Sequence, residues 1–195
     1  MAGSALSCHT DPGRPAPPAL SRPRPRPVPS RPVPSEGDQP MTTARPAEPA
    51  DADEILRLRI AVRDGGPLTE HWQGVFRDDL RARLGTDPDL LAYVVPADGG
   101  LVACAIGLVH RGYRGPAHPT GRWGRIHTVA TDPLHQRRGH GRAATTALVE
   151  ALKDAGCGSV ELRATEAGAG LYRALGFEPV GGFMALRPGP GGWVR

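Results

Sequence analysis

The chain has 195 residues, 39% of them apolar, and a formal net charge of +4, enough for one ordinary domain with a substantial core. Residues 1–40 hold five Arg against three acids, a net of +2, so residues 41–195 also carry only +2; this argues against a basic nucleic-acid-binding domain. Cys8, Cys104 and Cys157 form no C-x-x-C pair, and the longest apolar run covers only residues 101–109; a disulfide framework, a zinc site and a membrane helix of roughly 20 residues are all disfavoured.

The first forty residues hold eleven of the 22 prolines. Proline removes backbone donors and fixes φ, so this leader is expected to be disordered or extended. It also lacks a continuous apolar signal core, and the protein is read as cytoplasmic. Met41 opens the domain, expected over residues 41–187 with a tail at 188–195. Met41 reads equally well as the true start. Residues 42–47 read as a short strand. Asp51 followed by Glu54 resembles a capping box, and Ile55, Leu58 and Val62 fall on one face of the helix it opens. Gly65-Gly66-Pro67 stops that helix. A second helix is predicted to turn Trp72, Val75, Phe76, Leu80 and Leu84 inward, ending near Gly85.

Residues 91–95 and 101–109, separated by Asp98-Gly99-Gly100, predict a hairpin. Residues 112–124 have four Gly and two Pro and predict a loop. Residues 125–131 form the next strand, which Pro133 ends. A helix follows over residues 139–155 with Ala144, Leu148 and Leu152 on one face, closed by Gly156 and Gly158. Residues 160–164 predict a strand and 169–175 a short helix stopped by Gly176. Two last strands are expected at 177–180 and 183–186. The pattern is a mixed α/β domain.

The chemistry concentrates between Thr131 and the following helix, in Gln136-Arg137-Arg138-Gly139-His140-Gly141. A helix N-terminus offers unpaired N–H groups and the positive end of its dipole. Glycine lets the backbone approach an anion. With Arg137, Arg138 and Arg142 around it, the turn predicts a phosphate or pyrophosphate ligand. Gly139-x-Gly141-x-x-Ala144, with Glu161 about twenty residues on, formally matches a dinucleotide-binding fingerprint. Residues 132–138, however, separate this turn from its strand, where that fingerprint follows directly. A nicotinamide oxidoreductase is the remote alternative.

Val129-Ala130-Thr131-Asp132-Pro133 followed by Gln136-Arg137-Arg138-Gly139-His140-Gly141 resembles the acetyl-CoA motif of the GNAT (Gcn5-related) N-acetyltransferase superfamily. Leu171-Tyr172-Arg173-Ala174-Leu175-Gly176-Phe177 resembles that family's second hallmark, and the two stand in register. The resemblance implies a mostly antiparallel, splayed central sheet flanked by helices. It implies acetyl transfer from acetyl-CoA to a primary amine, on a small molecule or a peptide, by direct attack. The backbone of Val129, Ala130 and Thr131 would run beside the pantetheine arm, with the Val129 N–H on the acetyl carbonyl. Arg137, Arg138, Gly139, His140, Gly141 and Arg142 would hold the pyrophosphate. The family asparagine that contacts the coenzyme arm is absent; its place falls at Thr165 or Glu166.

Acyl transfer needs a proton taken from the amine and one given to the departing sulfur. Tyr172 matches the family's general acid, and a phenol with a pKa of about 10 is protonated at neutral pH. His127 is the candidate base. It lies two residues before Val129, and alternation puts both side chains on one face unless a bulge intervenes. Glu161 is the rival base, although pairing with Arg163 or Lys153 is the preferred account of it. The acceptor is expected between the first two helices, the 112–124 loop and residues 181–184, with Trp72, Phe76, Tyr113 and Trp123 as candidate lining. His110, His118, His135 and His140 are dispersed, and no metal site is read. A non-catalytic acetyl-CoA-binding module is the main alternative to an enzyme. A homodimer is the one assembly considered, with an amine substrate as partner and no nucleic acid or membrane partner expected.

Overall fold

The sheet is built around its most apolar strand. In the computed structural model, which describes residues 43–62, 68–116 and 118–181, β2 (Leu90–Ala97) and β3 (Gly100–Arg111) pair antiparallel across the predicted Asp98-Gly99 turn. Every residue from Leu101 to Gly107 is buried. Both faces of β3 are covered, which is why its sequence runs apolar without alternation. β4 (Arg122–Thr131) lies antiparallel on one side of this hairpin. The two-residue β1 (Arg45–Pro46) lies on the other. β5 (Val160–Leu162) adds to β4 in parallel, and the order is β1-β2-β3-β4-β5. This is the mixed, mostly antiparallel sheet the motifs imply.

Helices cover both faces. On one, α1 (Ala52–Ala61) and α2 (Glu70–Arg83) bring Ile55, Leu58 and Leu80 against Val94, Cys104, Ile106 and Ala130. On the other, α3 (His140–Asp154) packs Ala144, Leu148 and Leu152 on Ala103, Ala105, Val109 and Ile126. The four-residue spacing of that stripe makes it continuous. Leu148 and Leu152 are fully buried, and truncating either to Ala is expected to cost about 2–5 kcal/mol. The short α4 (Ala169–Arg173) follows β5. No helix among the described residues is long and apolar enough to cross a membrane.

Several expectations are corrected. The capping box sits one turn earlier than Asp51–Glu54: Glu48 and Asp51 cap a 3-10 turn at Pro49–Asp51, and Glu54 instead accepts from Leu101 N–H and Arg57. α2 packs on α1 and on that 3-10 turn, which covers a narrow stripe through Phe76, Leu80 and Leu84. Trp72 and Val75, expected inside, are 56% and 43% exposed. β4 starts at Arg122, inside the expected loop. Residues 177–180 form no strand; Pro179 has no N–H to give a ladder. The strand expected at 183–186 lies outside the described residues, as does Thr42.

Candidate functional site

β4 carries a bulge at its centre. Ile106 pairs with Thr128 but Gly107 pairs with Ile126, so His127 is the extra residue on β4. An extra residue reverses which face the following side chains take. Ile126 therefore joins the α3-side core, whereas Ala130 joins the α1-side core. His127 and Val129 do not share a face, which corrects the alternation argument. Val129 packs on the α3 side. The exposed His127 ring lies 6.1 Å from His110, whose strand neighbours Leu108 and Ile106 face α1. Thr128 on that side accepts from Arg59, whose guanidinium lies 4.8 Å from the Phe76 ring centroid.

The same stretch of β4 has an open edge. β5 is in register only with Gly124, Arg125 and Ile126, and beyond these no strand among the described residues follows β4 on that side. Asp132 N–H donates to Val102 O at 2.9 Å. The alternation of an antiparallel ladder then sends the N–H groups of Ala130 and Thr128 toward β3. Those of Val129 and Thr131 point to the open edge. An unpaired strand edge with outward backbone donors is a docking edge for an extended amide-bearing chain.

Past β4 the chain turns into α3 with unusual backbone geometry. Arg137, at φ 62°, is the only non-glycine residue among those described with positive φ, and Gly139 follows at φ 84°. The helix N-terminus has no side-chain cap, so its first N–H groups point at an open, positively charged turn with Arg137, Arg138 and Arg142 exposed around it. This is the geometry an anion needs. The two glycines have different reasons. Gly139 supplies a left-handed φ, whereas a Cβ on Gly141 would lie 2.8 Å from Thr131 Oγ1. Gly141 is what lets α3 start against the end of the open strand.

An ion-pair cluster fixes the chain as it leaves β4. Asp132 pairs with Arg57 at 2.8 Å and accepts from Leu134 N–H at 3.0 Å, and Arg57 also donates to Leu101 O at 2.7 Å. Arg57, with the Leu134 N–H, holds the Asp132 carboxyl below the usual range. Nothing local in the sequence marks this contact, because Arg57 and Asp132 are 75 residues apart.

The predicted acid and bases come to different surroundings. Tyr172, on α4, is half-buried with its ring edge-to-face with Phe177 at 6.0 Å. Burial raises its phenol above the ordinary value, so it holds its proton more firmly. His127 is shifted the other way. Partial desolvation of the ring lowers its pKa first, then the nearby charges of Arg125, His110 and Arg59, with Glu161 opposing. Glu161 bonds Arg125 at 3.2 Å, while Lys153 is taken by Glu150; the pairing expected with Arg163 or Lys153 is replaced by one across the β4–β5 ladder. Of the candidate lining residues, Tyr113 is 96% exposed and Trp123 half-buried. Among the described residues no group of three or more His, Cys, Asp or Glu could hold a metal ion.

Comparison with known proteins shows the family. The profile of the Acetyltransferase (GNAT) family matches residues 57–177. A search of curated proteins finds no match. Among solved structures, a GCN5-related N-acetyltransferase from Ralstonia eutropha JMP134 is 29% identical, with a TM-score of 0.62 over 73% of this chain and 96% of its own. A predicted acetyltransferase from Clostridium acetobutylicum, solved with acetyl-CoA, is 18% identical with a TM-score of 0.64 over 74% of this chain and 94% of its own. Glucosamine-6-phosphate N-acetyltransferase from Arabidopsis thaliana is 18% identical with a TM-score of 0.59 over 74% and 96%.

Proposed function

The chain belongs to the GNAT acetyltransferase family, and on that premise we propose that it transfers an acetyl group from acetyl-CoA to a primary amine by direct attack. One observation carries this reading. The open edge of β4, with the Val129 and Thr131 N–H groups on it, ends beside the uncapped, arginine-lined start of α3, where Gly141 meets Thr131. An extended amide chain ending in a pyrophosphate matches both parts at once.

In this reading Val129 N–H is the fixed donor to the acetyl carbonyl. Such a donor is worth about 3–4 kcal/mol where charge develops on oxygen. Ala130 and Thr131 continue the edge along the pantetheine arm. Arg137, Arg138 and Arg142, with the backbone from Gly139 through His140 to Gly141, hold the pyrophosphate. Acetyl-CoA supplies the activated thioester carbon. His127, kept neutral by its surroundings, takes the proton the amine nitrogen must lose as the C–N bond forms. Tyr172, kept protonated by burial, gives one to the sulfur as the C–S bond breaks. Glu161 is the weaker base, because its charge is engaged by Arg125. The chain is read as a cytoplasmic enzyme.

The test is direct. The purified chain is incubated with acetyl-CoA and a panel of amines spanning small molecules, peptide N-termini and lysine side chains, and free thiol release is followed. Amine-dependent thiol release is the expected result. Acetyl-CoA binding by calorimetry without release across the panel would instead identify a binding module, and binding of NAD in its place would sink the reading altogether.

A further inference from the structure

One guanidinium ties α1 to two strands where β4 ends. Arg57 Nη2 donates to Leu101 O at 2.7 Å, at the start of β3. Its Nη1 meets Asp132 Oδ2 at 2.8 Å, one residue past β4. Nε and Nη2 also reach Glu54, whose Oε2 accepts the Leu101 N–H at 3.2 Å. The Glu54 carboxylate crowds this point, and a Cβ on Gly100 would fall 2.6 Å from its Oε2. Asp132 N–H closes the frame by donating to Val102 O at 2.9 Å. Thr131, the last residue of the open edge, adjoins it in the chain.

The other oxygen of Asp132 faces the turn into α3. Oδ1 accepts from Leu134 N–H at 3.0 Å and lies 3.5 Å from His135 Nδ1. The His135 ring is in turn 6.3 Å from that of His140, the first residue of α3. A carboxylate therefore sits two side chains from the helix start where the pyrophosphate is read to lie. Between partly exposed groups a charge is felt over about one Debye length, roughly 8–10 Å. An unneutralised Asp132 would work against an anion there. The Arg57 side chain is 43% exposed and that of Asp132 16%. A pair this open adds little to stability, so its effect belongs to the field at the turn.

We propose that Arg57 is a positioning residue of the coenzyme site. It cancels the charge of Asp132 and leaves that carboxylate bonded to the Leu134 N–H. The turn then opens on α3 with no free negative charge beside the pyrophosphate. This rests on the reading of the α3 start as the pyrophosphate site. Arg57 does not touch the coenzyme. It acts through Asp132, and it makes α1 part of the support of a site built on β4 and α3.

Calorimetric binding of coenzyme A to the full chain tests this. Arg57→Gln leaves Asp132 uncompensated, and affinity at low salt should fall by about fivefold, the order expected of one added negative charge near a dianion. The deficit relative to wild type should shrink as salt rises. Asp132→Asn keeps the oxygen that accepts from Leu134 and removes the charge, so D132N should bind at least as tightly as wild type. R57Q/D132N is neutral at this pair, as the wild type is, and its two amides can bond each other. It should recover the affinity that R57Q loses. Wild-type affinity in R57Q would overturn the proposal. So would a deficit that salt leaves unchanged, a D132N weaker than wild type, or a loss that the double variant does not recover, since a brace that only holds the fold predicts all three. A wild-type chain that does not bind coenzyme A sinks the pyrophosphate reading itself; a wild type that binds, with R57Q unaffected, sinks only this inference.

Discussion

Gly141 packs against Thr131 so closely that a methyl group built on it would meet Thr131 Oγ1 at 2.8 Å. The contact joins the two halves of the site, because Thr131 ends the open strand and Gly141 opens the helix whose N–H groups face the anion. Gly141→Ala should therefore force the two apart. A destabilisation of about 1–3 kcal/mol is expected from the overpacking, with a raised KM for acetyl-CoA. Thr131→Ala in the same chain removes the obstructing hydroxyl and should recover most of the lost stability. Thermal melts of the single and double variants check this, and additive losses would refute the direct contact.

Arg137 holds a left-handed backbone without being glycine. That conformation costs an L-residue about 1–2 kcal/mol, and glycine returns some of the gain as unfolded-state entropy. Arg137→Gly should leave stability unchanged or slightly raised while weakening acetyl-CoA binding severalfold through the lost charge. Calorimetric affinity set beside denaturant midpoints separates the two effects. A variant that loses both together would mean that the arginine side chain braces the turn.

Tyr172→Phe keeps the ring on Phe177 and deletes only the hydroxyl. Loss of a general acid typically costs on the order of 10² in rate, so kcat should fall by about that factor while acetyl-CoA affinity holds. Burial raises the Tyr172 phenol, so the alkaline limb it controls should lie above the ordinary tyrosine value of about 10. Rate profiles up to that pH are the measurement, and a loss of protonated Tyr172 near neutrality would contradict its placement.

His127 and Glu161 make opposite predictions. His127→Gln should cost about 10² in kcat/KM if the imidazole takes the proton, whereas Glu161→Gln should cost little. The glutamate's charge raises the His127 pKa. Removing it should lower that pKa further and move the acid limb of the wild-type profile to lower pH. If Glu161→Gln instead abolishes the rate and His127→Gln is mild, the assignment of the base reverses.

Legibility followed distance along the chain. The Ala144-Leu148-Leu152 stripe, the Asp98-Gly99 turn and the glycine-arginine turn are local patterns, each set by residues within a few positions of one another. The Glu48–Asp51 cap was missed by one turn because Asp51–Glu54 has the same three-residue spacing and the same acidic partner. The exposure of Trp72 was missed because helical periodicity cannot say what a helix packs against; α2 lies on α1 and leaves its first turn open.

What the sequence determined alone was the chemistry of single segments: an anion-binding helix start, a tyrosine in a second motif, and a histidine on the strand between core positions. What only the tertiary structure decided was how those segments face one another. The bulge at His127 arises from a register between β3 and β4, and no residue of β4 announces it. It turns His127 toward the α1 side, where His110 and Arg59 lie, and Val129 toward the α3 side. The Arg57–Asp132 pair likewise joins residues far apart in the chain. Register and long-range pairing are properties of two strands packed together, so neither strand's sequence read alone contains them.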